Sequence, residues 1–225
     1  MRISNIIFDL DGTLIDSARL SGTIIDQMLA ERGIATRADR ALIRKMDAVG
    51  GEAMIAAVLG VHSSNPAKEI EEFRTIHRSI EVPADLPFPG VRETLDKLRA
   101  ACFGMAICSN KPQFLCEKIL AELGLTQHFA AIIGSAPNRA RKPDPQGALM
   151  ALASVGGTTD NTLYCGDSVI DCATARAAGL QAVLVAWGYG TAEAIAIAPQ
   201  TPILRSMSAL HDAVLNHAGL GFSER

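Results

Sequence analysis

The stretch "IIFDLDGTLIDS" (residues 6–17) decides how the chain is read, because Ile6, Ile7 and Phe8 run straight into Asp9 and Asp11, with Gly12 and Thr13 behind them. The apolar run reads as a buried strand, and carboxylates at its end are costly unless something positive meets them. In an extended chain residues i and i+2 point the same way. Asp9 and Asp11 therefore face one site if the extended geometry lasts through Asp11, and Gly12 lets the chain turn away. Taken alone, this pattern has an ordinary structural reading as an Asx-type turn. A calcium loop fits less well, since the twelfth position counted from Asp9 is Leu20 where a bidentate Glu is needed.

Downstream, further apolar runs at 103–108, 129–133, 162–165 and 181–186, together with 3–9, read as buried strands. Between them, 91–101, 112–123, 144–155 and 169–178 carry apolar positions at helical spacing, and Gly124 and Gly179 stand where helix C-terminal glycines belong. Strands alternating with helices in this way predict an α/β fold, a parallel sheet covered by helices on both faces. The alternation breaks between about 17 and 82, where 19–32 and 66–80 have helical patterns but no buried strand is evident. We read 17–82 as an inserted helical cap domain and 1–16 with 83–225 as the catalytic core. The stretch "VPADLPFPG" (82–90) forms the second border, and the C-terminal "GLGFSER" (219–225) is expected to fray.

The totals fit this picture. At 225 residues and 48% apolar composition the chain can hold one full domain and a small second one, and its net charge of −3 comes without strong blocks of either sign. That balance gives no electrostatic case for nucleic acid or for an anionic membrane, so an anionic ligand must be attracted locally. Cys102, Cys108, Cys116, Cys165 and Cys172 are odd in number and form no CxxC pair, which favours reduced thiols and disfavours zinc. With no leader-like N-terminus and no apolar run of membrane-spanning length, the expected location is the cytoplasm, as a monomer or homodimer.

The ends of the other strands carry the chemistry. Ligands of an open parallel sheet gather beyond the carboxyl ends of its strands. There the second strand offers Ser109 and Asn110 ("CSNKP"), the third is followed by Lys142 ("RKPDP"), and the fourth ends in "GDSVID" with Asp167 and Asp171. Singly, each could be a helix cap or a solvated side chain. Together they converge, and several carboxylates with hard oxygen ligands would need a cation, for which Mg²⁺ is suited.

In order along the chain, "DLDGTLIDS", "CSNKP", "RKPDP" and "GDSVIDCATARAAG" resemble the four motifs of the haloacid dehalogenase superfamily, in its phosphoglycolate phosphatase branch. "PFPGV" (87–91), "WGYG" (187–190) and the placement of the cap are similar to that branch too. The resemblance implies a Rossmann-like sheet of order 5-4-1-2-3 and a Mg²⁺-dependent phosphatase acting on a small phosphorylated metabolite. It implies Asp9 as the nucleophile that becomes an aspartyl phosphate, and Asp11 as general acid and then general base. Mg²⁺ would be held by Asp9, the main-chain carbonyl of Asp11 and Asp167, with Asp171 in support. Lys142 would pair with the nucleophile and the transferring oxygens, while Ser109 and main-chain N–H groups near Asn110, Gly12 and Thr13 hold the remaining phosphate oxygens.

In the cap, Arg19, Arg32, Arg37, Arg40, Arg44, Lys45, Arg74 and Arg78 read mostly as a solvated face, and "VGGEA" (49–53) as the turn that approaches the active site. The histidines form no ligand pattern, and Tyr164, Trp187 and Tyr189 read as packing residues. The main alternative within the superfamily is a sugar phosphomutase. Dehalogenation is disfavoured by Asp11 and Asp167. A phospho-accepting receiver is disfavoured by the chain length and insertion, leaving a non-hydrolytic binding protein as the outside alternative.

Overall fold

The computed structural model describes residues 3–47 and 51–216. Val49 and Gly50 of the 49–53 turn, and the 219–225 terminus, lie outside them. The five expected strands form as β1 (Asn5–Phe8), β2 (Gly104–Pro112), β3 (Ala131–Ser135), β4 (Thr162–Gly166) and β5 (Gln181–Val185). A sixth, β6 (Ile203–Leu204), extends the all-parallel sheet to the order β3-β2-β1-β4-β5-β6. Two residues after a proline are too short a run to announce a strand, which is why the sequence pattern shows five.

At the centre, β1 pairs with β2 and β4, Phe8 standing opposite Ile107 on one side and Cys165 on the other. Its alternation splits the core. Ile6 and Phe8 pack with α5 (Val91–Ala100), α6 (Gln113–Glu122) and α10 (Met207–Asn216). Ile7 packs on the opposite face with Ala148 and Ala151 of α7 (Gln146–Ser154) and Ala175 of α8 (Val169–Ala177). Helices thus cover both faces, and α9 (Thr191–Ile197) leads into β6.

Between β1 and α5 lies a helical region of α1 (Ser17–Glu31), α2 (Arg40–Asp47), α3 (Gly51–Leu59) and α4 (Pro66–Ser79). The long helices follow from their sequences. In α1 the buried Leu20, Ile24, Ile25 and Met28 recur at three and four spacing, and α4 begins with Pro66 behind Asn65, whose side chain accepts from the Lys68 amide at 3.2 Å. Basic residues of this region mostly have acidic neighbours, Arg32 with Glu72 at 2.6 Å and Arg40 with Asp26 at 2.5 Å among them. No helix among the described residues is long and apolar enough to cross a membrane. The five cysteines are all free thiols.

Candidate active site

The chain leaves β1 with one more sheet bond, from the Asp9 amide to the Cys165 carbonyl at 2.9 Å, and then wraps around the Leu10 carbonyl, which accepts from the amides of Leu14 and Ile15. Gly12 sits in this turn at φ +75°, and a side chain there would meet Asp167 Oδ2 at 2.6 Å. Both facts require glycine. The Gly12 amide donates to the Ile15 carbonyl at 3.0 Å, and the Thr13 carbonyl accepts from the Trp187 indole at 3.1 Å. Neither Gly12 nor Thr13 is among the described residues that line the cavity in front of Asp9. Both residues shape the turn, and the Gly12 N–H is committed within it.

Across the sheet, Asp9, Asp167 and Asp171 are all buried, with one oxygen of each within 4.8 Å of the others. Lys142 answers them from the β3–α7 connection. Its ammonium lies 2.9 Å from Asp9 Oδ1 and donates to Asp171 Oδ1 at 2.6 Å. The segments that follow β1, β3 and β4 therefore bring residues 9, 142, 167 and 171 into one volume. Asn110 sets the position of Lys142, because its side chain accepts from the Lys142 amide at 2.8 Å and donates to the Lys142 carbonyl at 3.1 Å. That side chain is a clamp on the neighbouring loop, a role that the sequence did not announce.

Asp171 has its oxygens occupied by protein donors. Oδ2 accepts from the amides of Asp167 and Ser168 at 3.2 and 3.0 Å and from the Ser168 hydroxyl at 2.7 Å, completing a reciprocal cap on α8. Asp167 is held from the "WGYG" loop, its Oδ2 accepting from the amides of Tyr189 at 2.7 Å and Gly190 at 3.2 Å. Gly188 packs so closely on Asp167 that a Cβ would come within 2.1 Å of the aspartate Cβ. Tyr189, expected only to pack, also donates from its hydroxyl to Asp16 at 2.5 Å and so ties this loop to the start of α1.

Charge and burial oppose one another here. Burial raises Asp9 to about 7, with Lys142 pulling it down and Asp171 and Asp11 pushing it up. Burial, then Asp171 and Asp9, raise Asp167 to about 8. Burial works against the charge of Lys142 too, but Asp171 and Asp9 outweigh it and hold the ammonium far above the ordinary lysine range. For Asp171 the Lys142 contact and the Ser168 hydrogen bond win over burial and lower it. One ammonium is thus too little positive charge for all three buried carboxylates, and a divalent cation fits this donor set.

In front of the cluster lies a cavity of about 140 Å³. Its inner wall includes Asp9, Asp11, Ser109, Lys142 and Asp167, and its outer wall comes from the helical region through Ser21, Gly51, Met54, Ile70, Phe73 and Arg74. Gly51 belongs to the expected "VGGEA" turn. Arg74, read as solvated, reaches the cavity while pairing with Glu71. Lys111, which the sequence reading passed over inside "CSNKP", lies 2.9 Å from Asp11 Oδ1.

The sequence profile described as "haloacid dehalogenase-like hydrolase" matches residues 6–185. The chain belongs to this family. As a haloacid dehalogenase-like hydrolase it is 35% identical over 186 residues to a phosphoglycolate phosphatase of Xanthomonas campestris pv. campestris, covering 82% of this chain and 83% of that one. It is 33% identical over 205 residues to a phosphoglycolate phosphatase of Agrobacterium fabrum, covering 88% and 86%. Among solved structures, a "predicted phosphoglycolate phosphatase" from Haemophilus somnus superposes with a TM-score of 0.80 at 22% identity, over 93% of this chain and 97% of that one, a likeness of fold.

Proposed function

We propose that this hydrolase is a Mg²⁺-dependent phosphatase that cleaves a small phosphate monoester, with 2-phosphoglycolate the first candidate, through an aspartyl phosphate on Asp9. The observation that carries the reading is the meeting of Asp9, Asp167 and Lys142 at the floor of one small cavity, with Asp171 buried beside them. The names of the relatives support the choice of ester.

In this reading a carboxylate oxygen of Asp9 forms a bond to phosphorus as the bond to the leaving oxygen breaks, and Asp11 gives that oxygen a proton. Asp11 then takes a proton from water, whose oxygen attacks phosphorus and releases Asp9 with inorganic phosphate. Lys142 holds Asp9 in place and faces the transferring oxygens. Ser109, whose hydroxyl oxygen accepts from the Lys111 amide at 3.3 Å, keeps its own O–H to donate to the phosphoryl group. Asp9, Asp167 and the Asp11 carbonyl would hold Mg²⁺, which supplies charge neutralisation between an anionic nucleophile and an anionic ester. Asp171, its oxygens already engaged, supports the site by fixing Lys142 and the start of α8. Residues 17–82 act as a cap that excludes water and sets the choice of ester, over a core of 1–16 and 83–225.

The test is a phosphate-release screen over small phosphorylated metabolites with Mg²⁺ present or chelated. Mg²⁺-dependent release is expected. Conversion of a hexose 1-phosphate to an isomer without free phosphate would select the phosphomutase instead, and no turnover of any ester would leave a binding protein.

A further inference from the structure

Of the cations lining the cavity, this scheme does not employ Arg74, Lys111 and Arg141, and of these Lys111 is the one that pairs with Asp11. It lies next to Ser109 and Asn110 near the end of β2, and all three line the cavity. A regular strand sends successive side chains to opposite faces. The pairing of β2 with β3 shifts register between Cys108 and Pro112, an irregularity of the kind that re-aims side chains beside functional sites.

The ammonium of Lys111 is 2.9 Å from Oδ1 and 3.1 Å from Oδ2 of Asp11, in a pair whose side chains are only 10% and 16% exposed. The Asp11 carboxylate is not a member of the cluster made by Asp9, Asp167 and Asp171. Opposite, the helical region presents mainly Met54, Ile70 and Phe73. The leaving part of a bound ester therefore meets Met54, Ile70 and Phe73, with Arg74 paired to Glu71 beside them, on one side and a little-exposed ammonium, engaged with Asp11, on the other.

Resting on the phosphatase reading above, we propose that Lys111 determines specificity by recognising a carboxylate on the leaving part of the ester and, in doing so, loosens its hold on Asp11. An ammonium has three donors and can bridge two carboxylates. Shared with the substrate anion, Lys111 binds Asp11 less tightly, and the aspartate side chain turns to the leaving oxygen. An ester with a neutral leaving part leaves the pair intact and Asp11 held back. Recognition of the second anion thus appears in kcat as well as in KM.

The experiment compares 2-phosphoglycolate with 2-hydroxyethyl phosphate, which replaces the carboxylate by a neutral CH₂OH, in the wild-type protein, Lys111→Met and Lys111→Arg with Mg²⁺. The wild type is expected to favour 2-phosphoglycolate, and Lys111→Met to lower the kcat/KM ratio of the two esters about 30-fold, the size of one charge-assisted hydrogen bond, through a higher KM for 2-phosphoglycolate and a higher kcat for 2-hydroxyethyl phosphate, on which Asp11 is no longer held back. Lys111→Arg, which keeps the charge, is expected to restore most of that ratio. Lys111→Gln provides a second neutral variant if the Met protein does not fold. Equal losses on both esters, or an unchanged ratio, would overturn the proposal. Release of phosphate from neither ester by the wild-type protein overturns this inference, while Mg²⁺-dependent release from another ester of the screen keeps the phosphatase reading.

Discussion

The two walls of the cavity are built on opposite principles. The inner wall carries Asp9, Asp11, Lys142 and Asp167 at strand ends, each held by backbone or ion-pair contacts, while the outer wall shows Met54, Ile70 and Phe73 from helices, with Ser21 and Arg74 as its polar side chains. Chemistry demands fixed charge, and strand ends hydrogen-bonded into a sheet are rigid places to keep it. Choice of substrate demands shape, which a separate helical layer can vary without disturbing the charges. Substitutions of Asp9, Asp11, Lys142 and Asp167 are therefore expected to affect every substrate, and those on the outer wall, like those of Lys111, to re-rank them.

The largest effect falls on the inner wall. Asp9→Asn removes the nucleophile and is expected to lower kcat by about 10⁴-fold on any ester, with a retained fold by circular dichroism. Near-normal turnover in that variant would remove the distinction between the walls. Next comes Lys142→Met, which strands Asp9 and Asp171. Turnover is expected to drop by about 10²–10³-fold, and the melting temperature to fall because breaking such a buried pair costs about 3–5 kcal/mol.

Metal and pH sharpen the inner-wall account. Asp9 at about 7 and Asp167 at about 8 lie well above the ordinary aspartate value of 3.8. Folded, metal-free protein thus binds protons that the unfolded chain has released. The resulting stability is full below the unfolded value of 3.8 and is lost as pH rises through about 7 to 8. Mg²⁺ replaces those protons, so the gain in melting temperature on adding it is expected to grow from about pH 5.5 to about pH 8.5. A gain that shrinks over that range contradicts the assignment of Asp9 and Asp167 as ligands. Smallest of all, Phe73→Leu on the outer wall is expected to change kcat/KM by about tenfold or less, by different factors for different esters, with the Mg²⁺ requirement intact. A uniform loss would leave the buried Phe73 with a packing role alone.

Much of the inner wall is legible because strand ends follow visible apolar runs. Ile6 to Phe8 point to Asp9, and "TLYC" points to Asp167, since buried parallel strands are continuous in their hydrophobicity. What stays hidden depends on departures from period. Ser109, Asn110 and Lys111 all line one cavity where β2 shifts register against β3, which a pattern of strict alternation does not foretell. The Asn110 clamp on Lys142 spans 32 residues and leaves no local trace. Asp171 was visible as an acid, but its use as a cap partner of Ser168 depends on the helix starting at Val169. The outer wall was least legible. In α3 the sequence "GEAMIAAVL" is nearly apolar throughout, so periodicity alone does not show which face meets the cavity.

The most direct test of the account is chemical trapping. Asp11→Asn protein is mixed with an ester carrying a radiolabelled phosphoryl group, quenched in acid within the first turnover and digested for peptide mapping. The account predicts label covalently bound at Asp9. Release of free phosphate with no label on the chain, or label on any other residue, would contradict it.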